Sequence, residues 1–123
     1  MKIAVASDDK TTVRKGHFGK ARFYLVFEVD GNRIVAEELR ENPIGADEET
    51  HGRASQVLKM LPDCDVLIGR SMGRHSVPKL LENGKTPLLC LLEDAQACVD
   101  AYLNGERQHF LVWDEEKQKF VKP

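Results

Sequence analysis

The stretch "ARFYLVFEVDGNRIVAEEL", residues 21–39, decides the fold. Its first nine residues, Ala21 to Val29, are rich in aromatics and valine and alternate with period two, the pattern of a half-buried strand. Asp30–Asn32 reads as a hairpin turn, and Arg33–Leu39 as the returning strand. Working outward, "KIAVAS" (Lys2–Ser7) is an apolar run of strand length. Downstream, Ala54, Val57, Leu58 and Leu61 fall at i, i+3, i+4 and i+7, which predicts a helix ended by Pro62. "DVLIG" (Asp65–Gly69) and "TPLLCLL" (Thr86–Leu92) read as buried strands. Between them Ser76 is placed to cap a short helix with Pro78 in its first turn. Ala95, Cys98, Val99, Tyr102 and Leu103 share one face of a last helix, closed by Asn104-Gly105. The tail "HFLVWDEEKQKFV" alternates around a polar turn, as a small terminal hairpin does.

The order β-β-β-α-β-α-β-α specifies an α/β sheet with a mixed edge. Two strands joined by a helix are expected parallel, and hairpin strands antiparallel. If the first two strands pair antiparallel, strands one, three, four and five all point one way. Ligands of open α/β sheets bind outside the carboxyl ends of the strands. The loops expected there carry His17, His51 and His75, whereas His109 is expected at the opposite edge. Neutral imidazole is the commonest metal-ligating side chain, so these three histidines are the candidate metal ligands. Their spacing matches no closed zinc motif.

Composition narrows the classes. With 123 residues, 31% charged and 41% hydrophobic, the chain suits one soluble domain. A net charge of -2 provides no general basic field for nucleic acid. No apolar run approaches the ~20 residues of a membrane span. "MKIAVASDD" lacks the pattern of a secretory signal, so a cytoplasmic protein is expected. Cys64, Cys90 and Cys98 form no CxxC pair, and Cys90 and Cys98 are expected buried and reduced.

Of the loops, "GHFG" puts His17 and Phe18 between glycines that permit close backbone approach, with Phe18 as an apolar wall. "GRSMGRH" (Gly69–His75) is a strand-to-helix turn whose backbone N–H groups suit an anion, helped by Arg70 and Arg74. It is neither a Walker loop nor a GxGxxG fingerprint. Met72 is a soft ligand or, the favoured reading, a gap-filler. Asp8 and Asp9 are expected to hold a turn rather than a metal. Ribonuclease-type nuclease chemistry needs a carboxylate within the first strand, and "KIAVAS" has none. No nucleophile–base pair is legible, and the chain is expected not to be an enzyme.

The stretches "MKIAVASDD", "HFGKARFYLVFEVDGNRIV", "ENP", His51 before the first helix, "CDVLIGRSMG" and "AYLNGE" together resemble the dinitrogenase iron-molybdenum cofactor biosynthesis family, which includes NifX-like and NifB C-terminal-like domains. The resemblance covers residues 1–106 and leaves 107–123 as an extension. It implies a ribonuclease-H-like α/β fold with a mixed five-stranded sheet. It also implies a non-catalytic carrier of a metal-sulfur cluster of the iron-molybdenum cofactor precursor type, working with a cluster-delivery protein. The site residues it points to are His17, Phe18, Gly19, Asn42, Gly69, Met72, Gly73 and Arg74. This chain departs from the family's small-residue turn by carrying Arg70 and Ser71, and its Gly45–Gly52 segment has a single histidine. A histidine-and-backbone site for an anionic cluster is therefore expected, rather than one of several thiolates. The alternative is a metal-free module binding a small anion or a protein partner.

Overall fold

In the computed structural model, which describes residues 1–43 and 53–123, β2 (Phe23–Asp30) and β3 (Arg33–Glu41) form the hairpin read from the sequence. Gly31 sits at φ 64°, in the left-handed region that glycine enters without a Cβ penalty. β1 (Lys2–Ser7) pairs antiparallel with β2 and parallel with β4 (Val66–Gly69), and β4 pairs parallel with β5 (Thr86–Cys90). Three helices connect or flank them: α1 (Arg53–Met60), α2 (Val77–Glu82) and α3 (Ala95–Leu103).

The sheet differs from the expected five strands. The C-terminal segment forms β6 (Phe110–Asp114) and β7 (Lys119–Val121), and β6 adds antiparallel to β5. The result is one seven-stranded mixed sheet in the order β3-β2-β1-β4-β5-β6-β7. The physical reason is that β5 would otherwise be an unpaired edge, and β6 covers it.

β1 is buried on both faces, which is why it reads as a continuous apolar run. Ile3 and Val5 pack with Leu25, Phe27, Ile68, Cys98 and Val99 on the α3 face. Ala4 and Ala6 point to the other face, and these small side chains leave room for Phe18 and Tyr24 beneath α1 and α2. The outer strand β3 is mostly exposed. Arg40 fastens it, with both Nη atoms 2.7 Å from the carboxylate oxygens of Asp63 and a third bond to the Met60 carbonyl.

Two further expectations are corrected. His109 does not lie at the opposite edge. Phe110 pairs with Cys90 at the end of β5, and Leu91 N–H donates to the His109 carbonyl, so the chain has returned to the carboxyl rim before β6 begins. It returns because β6 must start there to run antiparallel to β5. Cys90 and Cys98 are both fully buried, as expected, but they are joined in a disulfide rather than reduced, with Cα atoms 6.3 Å apart. The last residue of β5 and the first turns of α3 meet on one face, which brings the two sulfurs together. Ser76 precedes α2 but its hydroxyl makes no capping bond.

Candidate ligand-binding site

The loop after β1 is built by its own polar groups. Asp9 accepts hydrogen bonds from the N–H groups of Thr11 and Thr12 and from both threonine hydroxyls, the shortest at 2.6 Å. These bonds, led by those from Thr12, hold its carboxyl well below the usual carboxylate range. Asp8 accepts from the Arg14 guanidinium and from Arg22 N–H. Both acids thus serve the turn. Arg14 also donates to the His17 carbonyl, and its guanidinium lies so close to Gly16 that a Cβ there would stand 2.8 Å from Nη2.

A short 3-10 turn, Phe18–Lys20, then lays Phe18 into the core under α1. Phe18 is 2% exposed, and its ring is 5.0 Å from that of Tyr24. The Tyr24 hydroxyl donates to the Phe18 carbonyl at 2.7 Å. Phe18 N–H donates to the Ser71 carbonyl at 2.8 Å, so the loops after β1 and β4 are joined backbone to backbone. Beside that bond, His17 Nδ1 lies 3.4 Å from Ser71 Oγ.

At this junction is a half-open cavity of about 180 Å³, lined by His17, Phe18, Gly19 and Lys20 from the first loop, Met72, Gly73 and Ser76 from the second, and Ala54 and Val57 of α1. Its walls are mainly apolar. The exposed His17 stands on one side and Lys20 brings a cationic group. Lys15 and Arg22 on the first loop and Arg74 on the second are exposed and do not line the cavity.

The structure brings five of the expected site residues together: His17, Phe18, Gly19, Met72 and Gly73. Gly69 lies behind the wall rather than in it. A Cβ on Gly69 would come 3.1 Å from Phe18 Cδ2, so glycine lets the phenylalanine seat. Asn42 is buried and donates from Nδ2 to the Ala21 and Gly19 carbonyls, an arrangement that positions the His17 loop. Arg74 and His75 are exposed in the turn ahead of α2 and do not line the cavity. Arg70, expected to help an anion, is otherwise engaged: its guanidinium donates to the Cys90 and Leu92 carbonyls, each at 2.8 Å. His51 and the acidic run Asp47–Glu49 lie outside the described residues. Among the described residues, no three His, Cys, Asp or Glu side chains are grouped to hold a metal ion. Lys20, Ala54, Val57, Ser71 and Ser76 were not among the expected site residues. Ala54 and Val57 belong to the helical apolar stripe, and a stripe that walls a cavity looks like one that fills a core.

The chain is an α/β protein with a mixed sheet, and its cavity lies outside the carboxyl ends of the parallel strands, the edge at which open α/β sheets bind ligands. The sequence profile described as "Dinitrogenase iron-molybdenum cofactor" matches residues 1–105, and the chain belongs to that family. No individually curated protein matches it in sequence. Among solved structures it is similar to a protein titled PH0822, with 19% identity, 97% of this chain and 100% of that one covered, and a TM-score of 0.72. It is similar to the apo form of the orange protein of Desulfovibrio gigas, with 22% identity, 85% and 88% coverage and a TM-score of 0.70. A putative dinitrogenase from Methanocaldococcus jannaschii shares 16% identity over 86% of this chain and 90% of that one, with a TM-score of 0.64. At these identities the likeness establishes a shared fold. Among the described residues no helix is long and apolar enough to cross a membrane.

Proposed function

We propose that the protein is a non-catalytic carrier that binds an anionic metal-sulfur cluster of the iron-molybdenum cofactor precursor type at the His17 cavity. Membership of the family supports the cargo class. The observation that carries the site is the cavity itself, where an exposed imidazole stands beside an apolar recess and a lysine. A cluster seated there has Phe18, Val57 and Met72 against its sulfide surface and Lys20 and Arg74 near its charge. For His17 to bond a metal through Nε2, Nδ1 carries the proton and donates it to Ser71 Oγ. His51 and His75 are the reading's further candidate ligands. The reading takes the first five strands as a ribonuclease-H-like core, the setting as cytoplasmic, and the recipient as a delivery partner rather than nucleic acid or a membrane.

The test is anaerobic reconstitution with iron, molybdate and sulfide, followed by metal analysis and titration of the wild type and three variants. Losing one strong, charge-assisted contact typically costs about 1.5–3 kcal/mol, or roughly tenfold or more in affinity. His17→Ala is expected to weaken binding by that much and to change the absorption spectrum, because a ligand is lost. Arg74→Ala is expected to weaken it without the spectral change. His109→Ala is the control, on the same rim but outside the cavity. Equal affinity and identical spectra in all four proteins would refute the site. Tight binding of sulfide-free oxyanions, with no metal retained from the reconstitution, would favour the metal-free anion module.

A further inference from the structure

We propose that the Cys90–Cys98 pair is a two-electron thiol–disulfide switch that sets how firmly the two cavity loops are held, and through them the affinity of the cavity. The second half of this inference rests on the binding function proposed above; the first half does not.

The segment closed by the disulfide, residues 91–97, is the anchor to which both loops are tied. From the loop after β1, Val13 N–H donates to the Glu93 carbonyl at 2.8 Å, and the Thr11 carbonyl accepts from Ala95 N–H at 2.9 Å. Thr12 also bridges to Asp94. From the loop after β4, Arg70 reaches across to the Cys90 and Leu92 carbonyls. Arg70 is followed directly by Ser71, which holds Phe18 N–H and faces His17, and then by Met72 and Gly73 of the cavity wall. A continuous set of bonds therefore runs from the disulfide to the two walls of the cavity.

Reduction disturbs this anchor for steric and polar reasons. Both sulfurs are fully buried. A covalent S–S bond of about 2 Å becomes a non-bonded contact well over 3 Å long, so the two sulfurs must separate within a close-packed site, by side-chain rotation or by a shift of the segment between them. The Cys98 sulfur lies 3.6 Å from the Leu92 carbonyl. As a thiol it becomes a donor to that oxygen, which Arg70 Nη2 also uses, so reduction changes the bonding at the end of the anchor. The chemistry is thiol–disulfide exchange with a dithiol reductant. One thiolate of the reductant attacks Cys90 or Cys98 and breaks the bond. Its second thiolate resolves the mixed disulfide. The reductant leaves as a disulfide, and two protons end on Cys90 and Cys98. Exchange passes through local opening of residues 91–97, whose Leu91 side chain is already 52% exposed. Disulfides in reducing compartments are characteristically redox-sensing, and the expected cytoplasmic setting is such a compartment.

The experiment uses the intact chain and first counts thiols after denaturation. One free thiol, Cys64, is expected in the oxidised protein and three after dithiol treatment; three before treatment overturn the proposal. After anaerobic removal of the dithiol, amide exchange at Val13 and Phe18 is compared in the two states without ligand, and tetrathiomolybdate is then titrated into both. Reduction is expected to speed both amides and to weaken tetrathiomolybdate binding, each by about fivefold or more. The Cys90→Ala/Cys98→Ala double variant is expected to be indifferent to dithiol in both measurements. Faster exchange with no tetrathiomolybdate binding in either state upholds the switch and counts against the binding function instead. Equal exchange at both amides, with reduction verified by the thiol count, overturns the switch whatever tetrathiomolybdate does.

Discussion

Gly69→Ala measures how tightly Phe18 is set. The added methyl would stand 3.1 Å from Phe18 Cδ2 and 3.5 Å from its Cβ, so the ring must yield by a few tenths of an ångström. Tyr24 backs the ring, and the Phe18 backbone is pinned by Ser71 and by the Tyr24 hydroxyl. The free direction is into the cavity. Overpacking of this kind costs about 1–3 kcal/mol. Replacing glycine in a strand returns about 0.5–1 kcal/mol of chain entropy. The open cavity favours the low end, so a net loss of about 1 kcal/mol is expected. The assay is urea unfolding followed by the fluorescence of Trp113, the single tryptophan, repeated in a Phe18→Leu background. With the ring edge gone, Gly69→Ala is expected to be neutral or mildly stabilising, a coupling of about 1 kcal/mol in the double-mutant cycle. A Gly69→Ala cost that is the same in both backgrounds would refute the contact as the cause.

Two other expectations follow from buried or paired groups. Burial, with the nearby Asp63 charge adding to it, pushes the Cys64 thiol up to about 11, so at pH 8 only about one molecule in a thousand carries the thiolate. Alkylation of Cys64 is expected to be negligible in the native protein and rapid after unfolding, as mass spectrometry of timed quenches would show; fast native labelling contradicts this. The Arg40 guanidinium and Lys2 hold the Asp63 carboxyl well below the usual carboxylate range, so its contribution is present above the unfolded value near pH 4 and is lost as the pH falls below it. Because Asp63 is 39% exposed, solvent screening limits that contribution to about 0.5–1 kcal/mol. Asp63→Asn is expected to remove part of the acid-side slope of stability and leave the part due to Asp9; an unchanged slope contradicts the pairing.

The strands and helices were legible because their periods differ. The β2–β3 hairpin announces itself by alternation and Gly31, and β1 and β4 by short apolar runs. What could not be read was pairing between distant segments. In the tail, Leu111 and Trp113 alternate with Phe110 and Val112, so a strand was visible, but nothing local says that its partner is β5. Both faces of β6 are in fact used: Phe110 packs with the α3 core, Leu111 and Trp113 with the other. The disulfide was hidden for the same reason. A cysteine at a strand end and another in the following helix each fit an apolar pattern, and only the crossing of β5 and α3 brings them together.

The site was legible where composition constrains backbone and illegible where a side chain chooses a partner. Glycines around His17 and Phe18 pointed to a close loop, and that loop does wall the cavity. In the sequence Arg70 reads as a cation for an anionic ligand, because an arginine in a strand-to-helix turn has that meaning when its guanidinium is free. Here the end of β5 leaves the Cys90 and Leu92 carbonyls within its reach, and two bonds at 2.8 Å outweigh a position in solvent. Within the cavity lining the positive charge therefore falls to Lys20, which was not an expected site residue, while Arg70 fixes the loop on which Ser71, Met72 and Gly73 are carried. An Arg70 substitution would thus act on the shape of the cavity before its charge. For this reason Arg74, exposed and outside the lining, is the cleaner probe of electrostatic attraction, and His17 the cleaner probe of a direct bond.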